Sequence, residues 1–259
     1  MCHRQSRIHP GRSTIPPITL YLDDYDLPGF LPVAAGFGTD HFGFVVTPNV
    51  DHLIRYYDDS AFRSLYAAAD FVLLDSRVLS YLLRLTRGMR APVCTGSDLT
   101  AELFRNVIAA ADRVVLIGAS AAQASRLAED FKLRDLRHYN PPMGFIRDPV
   151  AVEACLKFIE NASPFRFCLL AVGCPQQEIV ANGLKERGVA RGLALCIGAA
   201  INFLTGVERR APRWMQRLGL EWLYRLGNEP GRMAYRYLIR GPRVALVLRR
   251  MRVALRPRP

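Results

Sequence analysis

Five short apolar runs recur along the chain, each followed by a stretch with apolar residues at helical spacing, and this alternation constrains the fold more than any other feature. The runs are "GFVVT" (43–47), "FVLLD" (71–75), "RVVLIGA" (113–119), "RFCLLAVG" (166–173) and "GLALCIGA" (192–199). Each ends in polar or small residues, as buried strands do. Between them "DLTAELFRNVIAAA", "AAQASRLAEDFKL", "DPVAVEACLKFIENA" and "QQEIVANGLKERG" carry the 3.6-residue period of amphipathic helices. Strand–helix–strand crossovers of this kind imply an α/β, Rossmann-like fold with a mostly parallel sheet and helices on both faces. Ligands bind such sheets at the carboxyl ends of the strands, so the residues just after each run are the first candidates for function.

The 259 residues suit one domain of about 200 residues with an appendage. The expected division is a disordered N-terminus at 1–16, an α/β catalytic domain at 17–208 and a basic helical, membrane-binding appendage at 209–259. No apolar run reaches the roughly 18–20 residues of a spanning helix. The opening "MCHRQSRIHPGRSTIPP" lacks the apolar core of a secretory signal, so a cytoplasmic location is expected. Six scattered cysteines without a C-x-x-C pair read as reduced, mostly buried thiols, and no metal site is expected. His41, His52 and His138 have no partner at ligand spacing.

Charge is distributed unevenly. From Arg209 onward there are 14 Arg, no Lys and two acids, a net of +12 that equals the charge of the whole chain. This tail reads as two or three Arg-rich helices, broken at residues 228–231 and at Gly241-Pro242. Arg232, Arg236, Arg240 and Arg243 would form a basic stripe opposite an apolar face.

At the strand ends, Thr47 and Asn49 of "VVTPNVDH" suit a helix cap as well as a ligand contact. Asp75 of "LLDSRVL" suits either a cap or a general base. Asp98 of "CTGSDLT" reads as the cap of the next helix. The acids of "LDDYDLPG" match the D-x-D of metal-using sugar transferases, although a solvated loop explains them equally simply. "LIGASAAQAS" lacks the dinucleotide fingerprint, and no G-x-S-x-G or adjacent Cys–His pair supports nucleophilic hydrolysis. "AVGCPQQE" stands out, because a Gly-Cys-Pro turn delivers Gln176, Gln177 and Glu178 to a helix start.

Together "TPNVDH", "ADFVLLDS", "CTGSDL", "VVLIGAS", "NPPMGF", "LLAVGCPQQE" and "CIGAAINFLTGVERRAPRWMQRLGLEWLYRLGNEP" resemble, in order and over roughly residues 43–240, the WecG/TagA/CpsF family of bacterial glycosyltransferases. The resemblance implies transfer of a sugar from a UDP-sugar to a polyprenyl-diphosphate-linked saccharide, with inversion and without a required metal or other cofactor. It implies a peripheral enzyme on the cytoplasmic face of the inner membrane, in exopolysaccharide or other cell-surface glycan synthesis, and it admits a homo-oligomer. By the same resemblance Asp75 is the base, and Thr47, Asn49 and Gln177 contact substrate. Gly173 and Pro175 shape the turn that presents Gln177, and Arg210, Arg225, Arg232 and Arg236 are candidates for the diphosphate. The basic tail would lie on an anionic leaflet. Many relatives have Pro-Asp-Gly where this chain has Leu74-Asp75-Ser76, and an acid where it has Asn202.

Two other readings fit parts of the pattern. A basic nucleic-acid-binding protein would use the arginines on phosphates, but no groove-reading motif accompanies them and no nucleic-acid partner is expected. A catalytically inactive membrane-associated scaffold would keep the fold and tail without needing Asp75.

Overall fold

The computed structural model describes residues 18–228, 230–234 and 241–257; the N-terminus expected to be disordered, Arg236 and the side chain of Arg232 lie outside the described residues. Its strands are β1 (Thr19–Asp23), β2 (Phe42–Val46), β3 (Phe71–Val72), β4 (Arg113–Ile117), β5 (Asp135–Tyr139), β6 (Phe167–Leu170), β7 (Gly192–Cys196) and β8 (Arg252–Arg256). The helices are α1 (Leu27–Gly36), α2 (Val50–Asp58), α3 (Ser60–Ala68), α4 (Arg77–Arg87), α5 (Gly96–Asn106), α6 (Ala121–Asp130) and α7 (Pro149–Asn161), then α8 (Gln176–Arg187), α9 (Ala200–Leu204), α10 (Arg213–Arg217), α11 (Glu221–Asn228), α12 (Pro230–Ala234) and α13 (Arg243–Arg250).

Strands β2 to β7 form one parallel sheet in the order β3-β2-β7-β6-β4-β5. Side chains alternate between its faces, as the two-residue period requires. Phe44, Val46, Val115, Ile117, Cys168, Leu170, Ala194 and Cys196 join a core with α2, α3, α4, α7, α8 and α13. Val45, Val114, Leu116, Phe167, Leu169, Leu193 and Leu195 join a second core with α1, α5, α6 and α9. The expected α/β sheet with helices on both faces is therefore present, and each of the five apolar runs is a strand.

The ladder is shorter than the run at β3, where only Phe71 and Val72 pair with β2. Beyond them single hydrogen bonds continue alongside β2, from Leu73 N to Val46 O (3.0 Å) and from Asp75 N to Pro48 O (2.8 Å). β5 was hidden in sequence because it is a sheet edge; its "DLRHY" has no fully buried residue and so shows no apolar run. At the start of β7, Gly192 has φ +122°, and a Cβ there would fall 2.0 Å from Phe165 O. Only glycine lets β7 pass that carbonyl.

The tail differs from expectation at its end. α10 to α13 are the expected short helices, but the chain then forms a strand, β8, paired in parallel with β1 from Thr19–Arg252 to Asp23–Arg256. Arginines at the flanks of "RVALR" conceal its alternation, in which Val253 is buried. Val244, Val247, Leu248 and Met251 pack in the same core as Leu20, Leu22, Tyr56 and Leu83. Arg87 donates to the carbonyls of Leu248 and Met251, and Arg243 lies 3.2 Å from Asp58. Arg256 grips the carboxylate of Asp23 at 2.9 Å, and the same carboxylate accepts Val72 N at 2.6 Å. One buried acid thus joins the last strand to the strand that leads into Asp75.

Two of the acids of "LDDYDLPG", Asp23 and Asp26, have structural roles. Asp23 makes that clamp, and Asp26 caps α1 by accepting Gly29 N at 3.0 Å, with Pro28 in the first turn. The five cysteines among the described residues are free, four of them buried.

Candidate active site

The carboxyl ends of β2, β3, β6 and β7 open on one cavity of about 590 Å³. Its wall includes Thr47, Asn49, Asp75, Gly173, Gln177 and Arg225, so residues from four separated segments meet there. Four helices, α2, α4, α5 and α8, present their first turns to the same space. Their partial positive ends favour an anionic ligand.

After β2, Thr47 is buried and its hydroxyl donates to Cys196 O at 3.3 Å, tying β2 to β7. A Cβ on Gly96 would come within 3.0 Å of Thr47 Oγ1, so the glycine lets α5 start close against it. Asn49 is the cap of α2, its side-chain oxygen accepting Asp51 N (3.0 Å) and His52 N (3.3 Å). Cap and cavity wall are the same residue.

Asp75 is not a cap. Ser76 performs that task for α4, accepting Leu79 N at 3.1 Å. Among the described residues no hydrogen bond or ion pair engages the Asp75 carboxylate, which faces the cavity. Burial pushes its carboxyl up to about 8, with Glu221 and Asp98 adding repulsion and Arg210 and Arg225 opposing it. A carboxylate with that proton affinity is a stronger base than an exposed aspartate.

The cap of α5 is Thr95, not Asp98: Thr95 Oγ1 accepts Asp98 N at 3.1 Å and donates to Asp98 Oδ2 at 2.8 Å. Asp98 instead receives Arg210 at 2.6 Å and Arg77 at 3.5 Å. Burial works against its charge, yet the Arg210 hydrogen bond, aided by Thr95 and Arg77, holds its carboxyl below the ordinary value. Arg210 therefore braces the site from behind and is not among the cavity's lining residues. Arg225 does reach the cavity, 5.6 Å over the Phe203 ring and 3.6 Å from Glu208.

At the third corner, Gly173 takes φ +79° and its carbonyl accepts Gln177 N at 2.9 Å, opening α8. Pro175 follows a cis peptide bond and precedes the first helical residue without lining the cavity. Gln177 is only 2 % exposed. Its carbonyl oxygen accepts Gly198 N at 2.9 Å and its amide donates to Glu178 at 2.9 Å. Gln177 thus bolts the α8 start to the loop after β7, and both of these bonds stay within the protein. Burial pushes the Glu178 carboxyl up to about 7.

Among the described residues one trio has the chemistry to hold a metal ion: His52, Cys174 and Glu178 bring one ligand atom each within 4.8 Å of one another. Its atoms already serve one another and their neighbours. Tyr66 OH lies 2.9 Å from His52 Nδ1, Gln177 donates to Glu178, and burial first, then Glu178, keeps the Cys174 thiol protonated. His52 had no partner at short sequence spacing because both of its neighbours lie more than a hundred residues away. Arg55, Arg77, Phe203, Glu221 and Trp222 also line the cavity; the last three lie in the long stretch from Cys196 to Pro230 quoted above without being singled out there, and Arg55 and Arg77 read as ordinary helix arginines.

Comparison with known proteins adds one finding. The family model described as "Glycosyl transferase WecG/TagA/CpsF family" matches residues 21–258, nearly the whole chain.

Proposed function

Because the chain belongs to the WecG/TagA/CpsF family of glycosyl transferases, we propose that it moves a sugar from a UDP-sugar to a polyprenyl-diphosphate-linked saccharide, with Asp75 as general base. The observation that carries this reading is the Asp75 carboxylate, without a protein partner among the described residues and facing the common cavity. The acceptor hydroxyl attacks the anomeric carbon as the bond from that carbon to the diphosphate oxygen breaks. The bonding electron pair leaves with UDP, the hydroxyl proton passes to Asp75, and a single displacement inverts the anomeric centre. General-base help of this kind is worth about 10²- to 10⁴-fold.

No step in this scheme requires a metal. Backbone N–H groups at the start of α8, which no side chain caps, and arginine side chains can meet the departing charge. Thr47 and Asn49 remain proposed substrate contacts on the cavity wall; Gln177, proposed as a third, also holds Gly198 in place.

For the membrane, no helix among the described residues is long and apolar enough to cross a bilayer. Trp214, Leu218, Leu223 and Leu246 are exposed on the basic tail, a combination that suits a peripheral position on the anionic cytoplasmic face of the inner membrane. Four tail arginines, at 210, 225, 243 and 256, are engaged with acids of the protein itself, which disfavours a nucleic-acid surface.

The decisive assay is UDP release across a panel of UDP-sugars with polyprenyl-diphosphate monosaccharides in liposomes, run beside Asp75→Asn. Acceptor-dependent release that the substitution abolishes supports the reading. Equal release by both proteins overturns Asp75 as base, and liposome binding with no release by either favours a scaffold.

A further inference from the structure

Three guanidinium groups reach the main cavity among the described residues: Arg55 of α2, Arg77 of α4 and Arg225 of α11. Two are committed to carboxylates, Arg77 to Asp98 at 3.5 Å and Arg225 to Glu208 at 3.6 Å. Arg210, another of the sequence candidates for the diphosphate, is committed more tightly still, at 2.6 Å from Asp98. Arg55 differs: among the described residues it forms no ion pair, and its guanidinium lies 5.7 Å over the Phe62 ring.

That arrangement orients a cation on the cavity wall that makes no direct ion pair among the described residues, with Asp51 of the same helix also lining the cavity. The aromatic face beneath the guanidinium limits how its plane can turn, while the N–H edges stay available for oxygen acceptors. Burial raises the Cys174 thiol and brings the Glu178 carboxyl up to about 7, against the pull of Arg55, and neither group forms an ion pair with the guanidinium among the described residues. A partly buried guanidinium without a direct ion pair gains most from an anion that offers paired oxygens, and the planar fork matches a phosphate or diphosphate. The first turn of α2, with Asn49 at its cap, opens on the same part of the wall and adds to the positive field.

We propose that Arg55 is the principal side-chain contact for the diphosphate of the nucleotide donor, in place of the tail arginine Arg210. This assignment rests on the donor being a nucleoside diphosphate sugar, as argued above. Arg210 acts behind the wall as a positioning residue for Asp98 and for the field on Asp75.

The test is isothermal titration of the full chain and of Arg55→Gln, Arg55→Lys and Arg210→Gln with UDP, uridine and inorganic pyrophosphate, with circular dichroism melts to verify folding. Loss of a charged hydrogen bond predicts UDP binding weakened about 10- to 100-fold in Arg55→Gln. Uridine binding should be unchanged, Arg55→Lys should recover part of the loss, and Arg210→Gln should weaken UDP less than Arg55→Gln does. Equal weakening of uridine and UDP, or no weakening of UDP, overturns the assignment while leaving the UDP-sugar reading intact. Pyrophosphate binding that depends on Arg55, in a protein that ignores UDP and uridine, supports the anion site and removes the uridine donor instead. Binding of none of the three by the folded wild-type protein overturns the assignment.

Discussion

At Asp75 catalysis and stability pull in opposite directions. Its carboxyl is pushed up to about 8 in the fold, from an ordinary value of 3.8. Between those two values the folded chain holds a proton that the unfolded chain has released, so stability falls as pH rises through that window. Activity should do the reverse, rising toward a plateau above about pH 8 as the base becomes ionised. Asp75→Asn is therefore expected to lower turnover by about 10²- to 10⁴-fold. The same change should raise the melting temperature at pH 8 by on the order of a few °C, with little gain at pH 5 where the wild-type side chain is already neutral. Melting curves at the two pH values, beside a pH–rate profile, check both halves. Arg210 opposes the shift on Asp75, so Arg210→Ala should move the rising limb of that profile to higher pH. A profile that stays in place would limit Arg210 to holding Asp98.

Among the elements, strands buried on both faces were legible because each is a continuous apolar run, and the fold class followed from their alternation with helices. Edge strand β5, with its polar sequence, and the two outer strands β1 and β8 were not. The end of β8 hides its alternation under Arg252 and Arg256, whose charge belongs to solvent in one case and to Asp23 in the other. Asp75, Thr47, Asn49, Gly173, Gln177 and Arg225 could be picked out because they follow strands or carry a recognisable motif, and the cavity brings them together. Arg55 and His52 could not, since Arg55 sits on an amphipathic helix over nearby Phe62 like any surface arginine, and the neighbours of His52, Cys174 and Glu178, lie far along the chain. Gly192 tests the element level directly: with Phe165 O at 2.0 Å from any added Cβ, Gly192→Ala should cost on the order of 3–5 kcal/mol. Chemical denaturation, or loss of soluble protein, would reveal it; a cost below about 1 kcal/mol would mean that β7 shifts freely.

For the whole molecule, the basic tail belongs to the same core as the first strand, so the membrane contact proposed for it would be mechanically connected to the active-site architecture. Replacing exposed Trp214, Leu218 and Leu223 together with Ser should reduce co-sedimentation with anionic vesicles while leaving the melting temperature nearly unchanged. Undiminished sedimentation would move the membrane surface elsewhere. Arg256→Ala, by contrast, should destabilise by about 1 kcal/mol, since the pair is partly solvent-exposed. It should also lower kcat more than it raises KM for the donor, because Asp23 holds the strand that carries Asp75.

The pairing of β1 with β8 also sets an order of events during synthesis. The first strand is made early, and the arginine that clamps it, Arg256, lies 233 positions further along the chain than Asp23. Until it is made the Asp23 carboxylate lacks this partner, and the strand leading to Asp75 lacks the far end of its brace. The nascent chain can assemble its sheet progressively, yet the clamp closes only once β8 has been made, so a chain cut short before Arg252 would carry every residue of the cavity without the fastening that steadies its base.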